Sequence, residues 1–500
     1  MKPFILGNLV SLGDLVEVAV LGRRAVLGAH ARARLKSSRR IVEEAASSHE
    51  PVYGINTGFG ELSGVSIPKE KLWLLQKNLV LSHAVGVGEP LPEDEARGVL
   101  FLRANELARG YSGCRPQVPA LMADLLNAGA APVIPSRGSV GASGDLAPMA
   151  SMALALIGEG ELFFRGRRQA SSAVLRRLGL KPLRLEAKEG LSLLNGTQAM
   201  QSVGGFALHR AFHVFSAVQI AGAMSLDALA GTPDPLEPAL HALKPHFGQG
   251  RAAEQLRMLL AKSEIRESHR EDDPRTQDPY SLRCMPQVHG AAADVLSNAV
   301  MTVTTEMASV TDNPVVAENR ILSGGNFHGQ PLSFAFDSAA AAMAALANIS
   351  ERRVFQLLAG QAPGLKPFLA RDPGVESGWM IAQYTAAALA SENKALAHPA
   401  SCDSIPTSAF REDFVSMGMN AALKLKKIVW NAAQVAGIEM LCAAQGIEAR
   451  APLKPGRGVA RALELLRRRV PASSRDEVLG PRLELARDLI LDGYFMEVLS

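Results

Sequence analysis

Five hundred residues exceed what one ordinary core absorbs, so the chain is expected to form two subdomains or one large, extended helical core. Hydrophobic residues make up 47% and charged residues 20%, a balance that excludes wholesale disorder. Fifty-three Lys and Arg against 49 Asp and Glu leave a net charge of +4, too small over this length to call for a nucleic-acid partner.

The N-terminal stretch MKPFILGNLVSLGDLVEVAV is interrupted by Asp14 and Glu17 and carries no leader pattern or small-residue cleavage site. The longest apolar runs, such as AAAAMAALA at 339 to 347, fall short of the roughly 18 residues a membrane span needs, so no membrane partner is expected. Cys114, Cys284, Cys402 and Cys442 are scattered without CxxC pairing, which points to reduced thiols and a cytoplasmic location rather than a disulfide framework or zinc cage.

Residues 1–190 read as a smaller, loop-rich N-terminal subdomain, with YGINTGFGELSG at 53 to 64 and PSRGSVGASGDLAP at 135 to 148. Residues 191–500 read as a long antiparallel helical bundle and oligomerisation domain. Their Ala-rich blocks place apolar residues at three- and four-residue spacing, and alanine favours helix and lets helix axes approach closely. The fold class predicted is therefore mainly α, and the lack of strand–helix alternation disfavours a doubly wound nucleotide fold. Asp337 and Ser338 offer N-cap chemistry before the block at 339, and Gly360 offers a stop. RESHREDDPRTQDPY at 266 to 280 reads as a long surface loop, and Arg467, Arg468 and Arg469 as a solvated helix face.

The most informative stretch is GSVGASGDLAP at 138 to 148, a glycine-rich turn leading into a helix capped by Asp145. It lacks the Gly-Lys-Ser/Thr ending of a phosphate loop, and Asp145 stands where a nucleophile elbow needs glycine, so no nucleotide is expected. What remains is Ser143 between the two smallest residues, Ala142 and Gly144. There a backbone nitrogen can fold back on a preceding carbonyl, and cyclisation with loss of two waters would give an electrophilic methylidene-imidazolone. A tight turn is the plainer reading of the spacing alone.

GSVGASGDLAPMA resembles the signature of the aromatic amino acid lyase family, which comprises histidine, phenylalanine and tyrosine ammonia-lyases and related aminomutases. VYGINTGFG (52 to 60), LSHAVGVGEPL (81 to 91), GLSLLNGTQAM (190 to 200), QDPYSLRCMPQVHG (277 to 290), SVTDNP (309 to 314) and GGNFHGQP (324 to 331) are similar to further family segments, in family order. So are SENKALAHPASCDSIPTSA (391 to 409) and EDFVSMG (412 to 418), and the resemblance spans roughly residues 5 to 485.

The resemblance implies that Ala142, Ser143 and Gly144 become the methylidene-imidazolone prosthetic group, with no metal needed. It implies that Tyr53 removes the substrate β-proton, although an unperturbed tyrosine titrates near ~10 and would need electrostatic help. Arg283 lies three residues beyond Tyr280, on one face if the stretch is helical, and a guanidinium fork suits a substrate carboxylate. By resemblance, Asn195, Gln277, Tyr280 and Phe327 line the electrophile or orient substrate. His328 reads as structural. His209 and His213 have helical i,i+4 spacing, but no HExxH or acidic third ligand accompanies them, so a metal site is disfavoured.

Ser82-His83 and Glu412 match the histidine-directed members; tyrosine- and phenylalanine-directed members tend to carry His-Leu or Phe-Leu at the first position and glutamine at the second. A carboxylate accepts an imidazole N–H and is a poor neighbour for a buried benzene ring. Phe410, Arg411 and Phe414 depart from the pattern usual around this glutamate, and Ser151 stands where a histidine is frequent. The implied activity is elimination of ammonia from L-histidine to give trans-urocanate, by a homotetramer with shared active sites. The alternatives are the same chemistry on tyrosine or phenylalanine, or a 2,3-aminomutase. An inactive helical assembly is disfavoured by the intact triad, and a fumarase–aspartase type of lyase by the absence of its GSSxMPxKxN loop.

Overall fold

A computed structural model describes residues 1–48, 50–58, 64–271, 273, 275–473 and 475–499. The chain is 59% helix and 7% strand, as the alanine-rich periodicity predicts. It divides into two compact units. The first comprises residues 1–206, 300–336 and 399–423, and the second 207–299, 337–398 and 424–500.

The second unit is built on long helices that reverse direction at each step. Gly222 of helix Gln198–Ala228 packs on Met285, and Gln219 Oε1 accepts from His289 Nδ1, so helix Met285–Met307 runs against it. In helix Gly418–Glu448, Glu439 meets Ser225 and Ser350, and Gly446 packs on Ala228 and Leu357. Helix Gly418–Glu448 therefore runs alongside Gln198–Ala228 and Gln330–Leu358 in the same direction. Helix Met380–Leu396 carries the chain back between them, its Asn393 bonded to Asn431 and the preceding Trp379 to Gln445. The expected antiparallel bundle is thus present, and small residues set its spacing: a Cβ on Gly222 would lie 2.5 Å from Met285 Sδ. An ion pair crosses this core. Arg353 and Glu439 are both fully buried, and Glu439 also accepts from Ser225 Oγ (2.7 Å) and Ser350 Oγ (2.6 Å). Filling the carboxylate's lone pairs is what makes a buried charge tolerable.

Helix Gln330–Leu358 has a mean hydropathy of 1.4 over its most apolar window and is long enough to cross a membrane, but 67% of that window is buried, as in the core helix of a folded protein. Its start corrects one expectation. Asp337 and Ser338 lie inside the helix, which begins at Gln330 with Pro331 in its first turn, where the missing N–H of proline costs nothing. Gly360, at φ +66°, does follow its end. The last three residues of helix Arg457–Arg469 are all partnered within the chain: Arg467 with Glu448 (2.6 Å), Arg468 with Glu464, and Arg469 over the Tyr494 ring (5.8 Å). Of the loop expected at 266 to 280, residues 272 and 274 lie outside the described residues. Glu264–Glu267 forms one helical turn, and the buried Asp278 carboxylate accepts from the backbone of Thr232 (2.7 Å).

The first unit consists of shorter helices and small sheets, the largest with three strands, Ala131–Pro132, Glu161–Phe164 and Arg167–Ala170. Asp14, which interrupts the N-terminal apolar stretch, closes a capping box with Ser11 on helix Leu12–Ala19. All four cysteines are free, and burial pushes the Cys114 thiol up to about 12 and raises that of Cys442, which makes both unreactive.

Candidate active site

The Ala142-Ser143-Gly144 turn is compressed against a second loop. Gly144, at φ +75°, forms a parallel bridge with Gly196, and a Cβ placed on it would lie 2.1 Å from the Gly196 carbonyl oxygen. Only glycine fits there. The Gly196 N–H donates to the Ser143 carbonyl (3.3 Å), and the Asp145 N–H donates to the Gly196 carbonyl (2.8 Å). Gly141, at φ +71°, is held on the other side by Ser416, whose hydroxyl donates to its carbonyl (3.3 Å). The triad is thus gripped on both flanks while Ser143 itself stays half-buried. A compact, glycine-permitted backbone of this kind is what an intramolecular cyclisation needs, so these residues fit the prosthetic group.

Asp145 does not cap the following helix, Leu146–Leu156, as its position predicts. Its carboxylate turns inward and accepts from Ser139 Oγ (2.7 Å) and from the Met200 backbone (2.7 Å), because a fully buried carboxylate needs partners more than the helix end needs a cap. Burial outweighs those bonds and pushes it up to about 6.

Asn195 ends helix Glu189–Leu194, immediately before Gly196, and its side chain donates to the Asn313 carbonyl (2.9 Å). Asn313 Oδ1 in turn accepts from Ser323 Oγ (3.1 Å) and the Gly324 N–H (2.7 Å). The segments at 190 to 200, 309 to 314 and 324 to 331 therefore converge. Tyr53 is half-buried, and its neighbour Gly54 (φ +73°) packs on Leu191 and Pro314, flanking the same segments. Residues 59–63 of that loop lie outside the described residues. Phe327 is half-buried. His328, beside it, stacks on Phe414 at 5.9 Å.

Glu412 meets the triad, and its charge reaches His83. Glu412 Oε1 accepts from Ser143 Oγ at 3.4 Å, and the Glu412 charge acts on the His83 ring. His83 ends helix Leu72–His83 with Nδ1 3.1 Å from Ser82 Oγ. Burial lowers its pKa, against the opposing pull of Leu79 and Glu412, so the ring is neutral near pH 7. Phe410 is 80% and Phe414 61% exposed, so neither residue fills the space in front of Glu412 as a core side chain would.

Tyr280, Arg283 and Gln277 belong to the second unit. Tyr280–Arg283 forms a helical turn, and the guanidinium lies 4.6 Å over the Tyr280 ring, the shared face that i,i+3 spacing predicts. Arg283 Nε is buried without a hydrogen-bond partner among the described residues. Tyr280 is 70% exposed and Gln277 is exposed. His209 and His213 pack edge to face at 4.6 Å. His213 Nδ1 is 2.9 Å from the Leu491 carbonyl, and burial and the neighbouring charges push His209 down to about 4. Among the described residues no group of three His, Cys, Asp or Glu side chains could hold a metal.

Sequence reasoning missed the buried layer beneath Gly196. Glu106 accepts from the Thr311 N–H (3.0 Å), Thr311 Oγ1 (2.8 Å) and Gln198, and pairs with the fully buried Arg103 (3.2 Å). Lys188 and Asp312 pair at 2.8 Å, also fully buried, and Thr197 Oγ1 donates to Glu306 (2.8 Å). The available signal was Arg103 and Glu106 inside the apolar run LFLRANELA.

Burial pushes Glu306 up from its ordinary 4.5 to about 7. The folded state therefore holds a proton that the unfolded chain releases, and stability falls as pH rises across that interval. Glu306→Gln stays neutral throughout. The melting temperature of the wild type, relative to this variant, is expected to fall between pH 5 and pH 8. Asp145 titrates in both proteins and cancels from the difference. A pH-independent difference between the two melting curves would mean that Glu306 is ionised in the folded state.

The helical scaffold and its Ala-Ser-Gly turn, pressed against an Asn-Gly loop with a carboxylate at the serine, are those of a carbon–nitrogen lyase. The chain belongs to the aromatic amino acid lyase family, whose profile matches residues 10–468. It is 49% identical over 496 residues to a histidine ammonia-lyase of Myxococcus xanthus, covering 98% of this chain and 97% of that one. The crystal structure of histidine ammonia-lyase from Trypanosoma cruzi superposes with a TM-score of 0.92 at 38% identity, covering 100% and 95% of the two chains. Tyrosine aminomutase from Streptomyces globisporus superposes with 0.94 at 34%, covering 99% and 98%.

Proposed function

We propose that the protein is a carbon–nitrogen lyase that eliminates ammonia from L-histidine to give trans-urocanate. The observation that carries the ring assignment is the Glu412 carboxylate, 3.4 Å from the Ser143 hydroxyl and within electrostatic reach of His83. An acceptor with full negative charge at the reacting triad suits an imidazole N–H and repels the face of a benzene ring. Relatives that carry the histidine ammonia-lyase name at 49% identity support the same reading.

The methylidene-imidazolone formed from Ala142, Ser143 and Gly144 supplies an electrophile that makes the substrate's amine a leaving group. Tyr53 accepts the β-proton. Arg283, whose Nε has no hydrogen-bond partner among the described residues and whose guanidinium lies over the Tyr280 ring, clasps the carboxylate. Glu412 accepts one ring N–H, and the neutral His83 faces the other ring nitrogen. Asn195, Gln277, Tyr280 and Phe327 orient the substrate and the electrophile. Exposed Ile381 and Tyr384 on helix Met380–Leu396 suit the proposed homotetramer, and the free thiols suit the cytoplasm.

Ultraviolet absorbance of the purified protein with L-histidine, L-tyrosine and L-phenylalanine in parallel tests the assignment. Urocanate from histidine alone is expected. Coumarate or cinnamate instead would overturn the ring assignment and keep the chemistry, and a β-amino acid product would identify an aminomutase.

A further inference from the structure

Glu412 does not hold its place by its own rotamer alone. It closes a short turn with Thr407 through two backbone bonds: the Thr407 N–H donates to the Glu412 carbonyl (2.9 Å), and the Glu412 N–H to the Thr407 carbonyl (3.3 Å). Between them Ser408, Ala409 and Phe410 stand at φ +50°, +51° and +66°, three successive non-glycine residues in the left-handed region. L-residues avoid that region, so a run of three persists only where the surrounding bonds over-determine it. A third bond completes the closure: Thr407 Oγ1 donates to Glu412 Oε2 at 2.7 Å.

The two carboxylate oxygens are thereby given different tasks. Oε2 is occupied by Thr407, while Oε1 points to the Ser143 hydroxyl at 3.4 Å. We propose that Thr407 is the positioning residue of the ring site: its hydroxyl pins one oxygen of Glu412 so that the other is presented to the substrate's ring N–H. This rests on the reading that the substrate carries an imidazole. Thr407 acts on the site through Glu412, to which its side-chain hydroxyl is bonded. Its half-buried position makes valine, of the same shape and without the donor, a mild structural change.

The test is steady-state kinetics on L-histidine for the full-length wild type, Thr407→Val and Thr407→Ser, each with its intact mass. A hydrogen bond to a charged group is worth enough to raise KM for Thr407→Val about 10- to 100-fold. Its kcat is expected to stay within about threefold, and its mass to stay two waters below the sequence value. Thr407→Ser, which keeps the donor, is expected to return KM to within about threefold of the wild type.

A Thr407→Val enzyme with unchanged KM overturns the proposal, and so does a serine variant as impaired as the valine one. The double variant Thr407→Val/Glu412→Gln gives an independent reading. Its loss is expected to match that of Glu412→Gln alone, whereas additive losses would show that Thr407 acts elsewhere. A wild type that makes no urocanate from histidine sinks the ring assignment itself, and a wild type that does so beside an unaffected Thr407→Val sinks only the role of Thr407.

Discussion

Ser143→Ala is expected to lower turnover of L-histidine on the order of 10³-fold or more, the scale of losing an essential reacting group. The protein is also expected to weigh more, relative to its own sequence, than the wild type does. In the proposed maturation, ring closure joins the Gly144 nitrogen to the Ala142 carbonyl carbon and releases one water. Loss of the Ser143 hydroxyl with its α-proton releases the second and leaves the exocyclic double bond. Alanine has no hydroxyl to lose, so at most one water can be missing from the variant. The fold should survive, because Ser143 is half-buried and, among the described residues, its side chain makes one hydrogen bond, the long one to Glu412 (3.4 Å). Intact mass spectrometry and kinetics on the same preparation check both halves. A variant two waters short, or one that turns over histidine at the wild-type rate, would show that the triad is not the electrophile. Gly144→Ala is a harsher companion, since its Cβ would lie 2.1 Å from a backbone oxygen that has no flexible end to yield.

The helical architecture was legible because it is periodic. Alanine-rich blocks with three- and four-residue spacing became helices, and the i,i+3 relation of Tyr280 and Arg283 became a stacked pair at 4.6 Å. Errors arose where local chemistry had a distant competitor. Asp145 has the residue type and position of a cap, but its partners, Ser139 and Met200, lie 6 and 55 residues away, and no local rule reveals the second of them. Asp337 also looks like a cap, yet Pro331 in the first turn was the better marker of the helix start. The motif residues of the candidate site could be matched segment by segment. The layer that holds them could not: Glu106, Gln198 and Thr311 meet across separations of 92 and more residues, which one sequence does not encode as a pattern. Thr407 escaped for a different reason. A threonine five residues before a glutamate has no helical or strand relation to it, and only the left-handed run at 408–410 brings the two together.

Glu412→Gln separates charge from shape at the ring position. Glutamine keeps the length of the side chain and can still accept through its amide oxygen, but it loses the negative charge that strengthens a bond to an imidazole N–H. For L-histidine, kcat/KM is expected to fall by about 10²-fold, corresponding to the loss of one charge-assisted interaction at the reacting centre. The ratio of histidine to phenylalanine activity should fall with it, because a neutral amide is less hostile to a benzene ring. The mass should remain two waters short, which separates this loss from failed maturation. His83 provides a second readout. The Glu412 charge raises the His83 pKa against the dominant lowering by burial, so its removal moves protonation of that imidazole to still lower pH. The neutral ring proposed to face the substrate's other ring nitrogen then persists further into acid, and the acid limb of kcat/KM attributable to His83 should move in the same direction. A Glu412→Gln enzyme with undiminished histidine specificity and an unmoved acid limb would place the ring-binding charge elsewhere. It would also remove the reason for the strained turn that Thr407 closes.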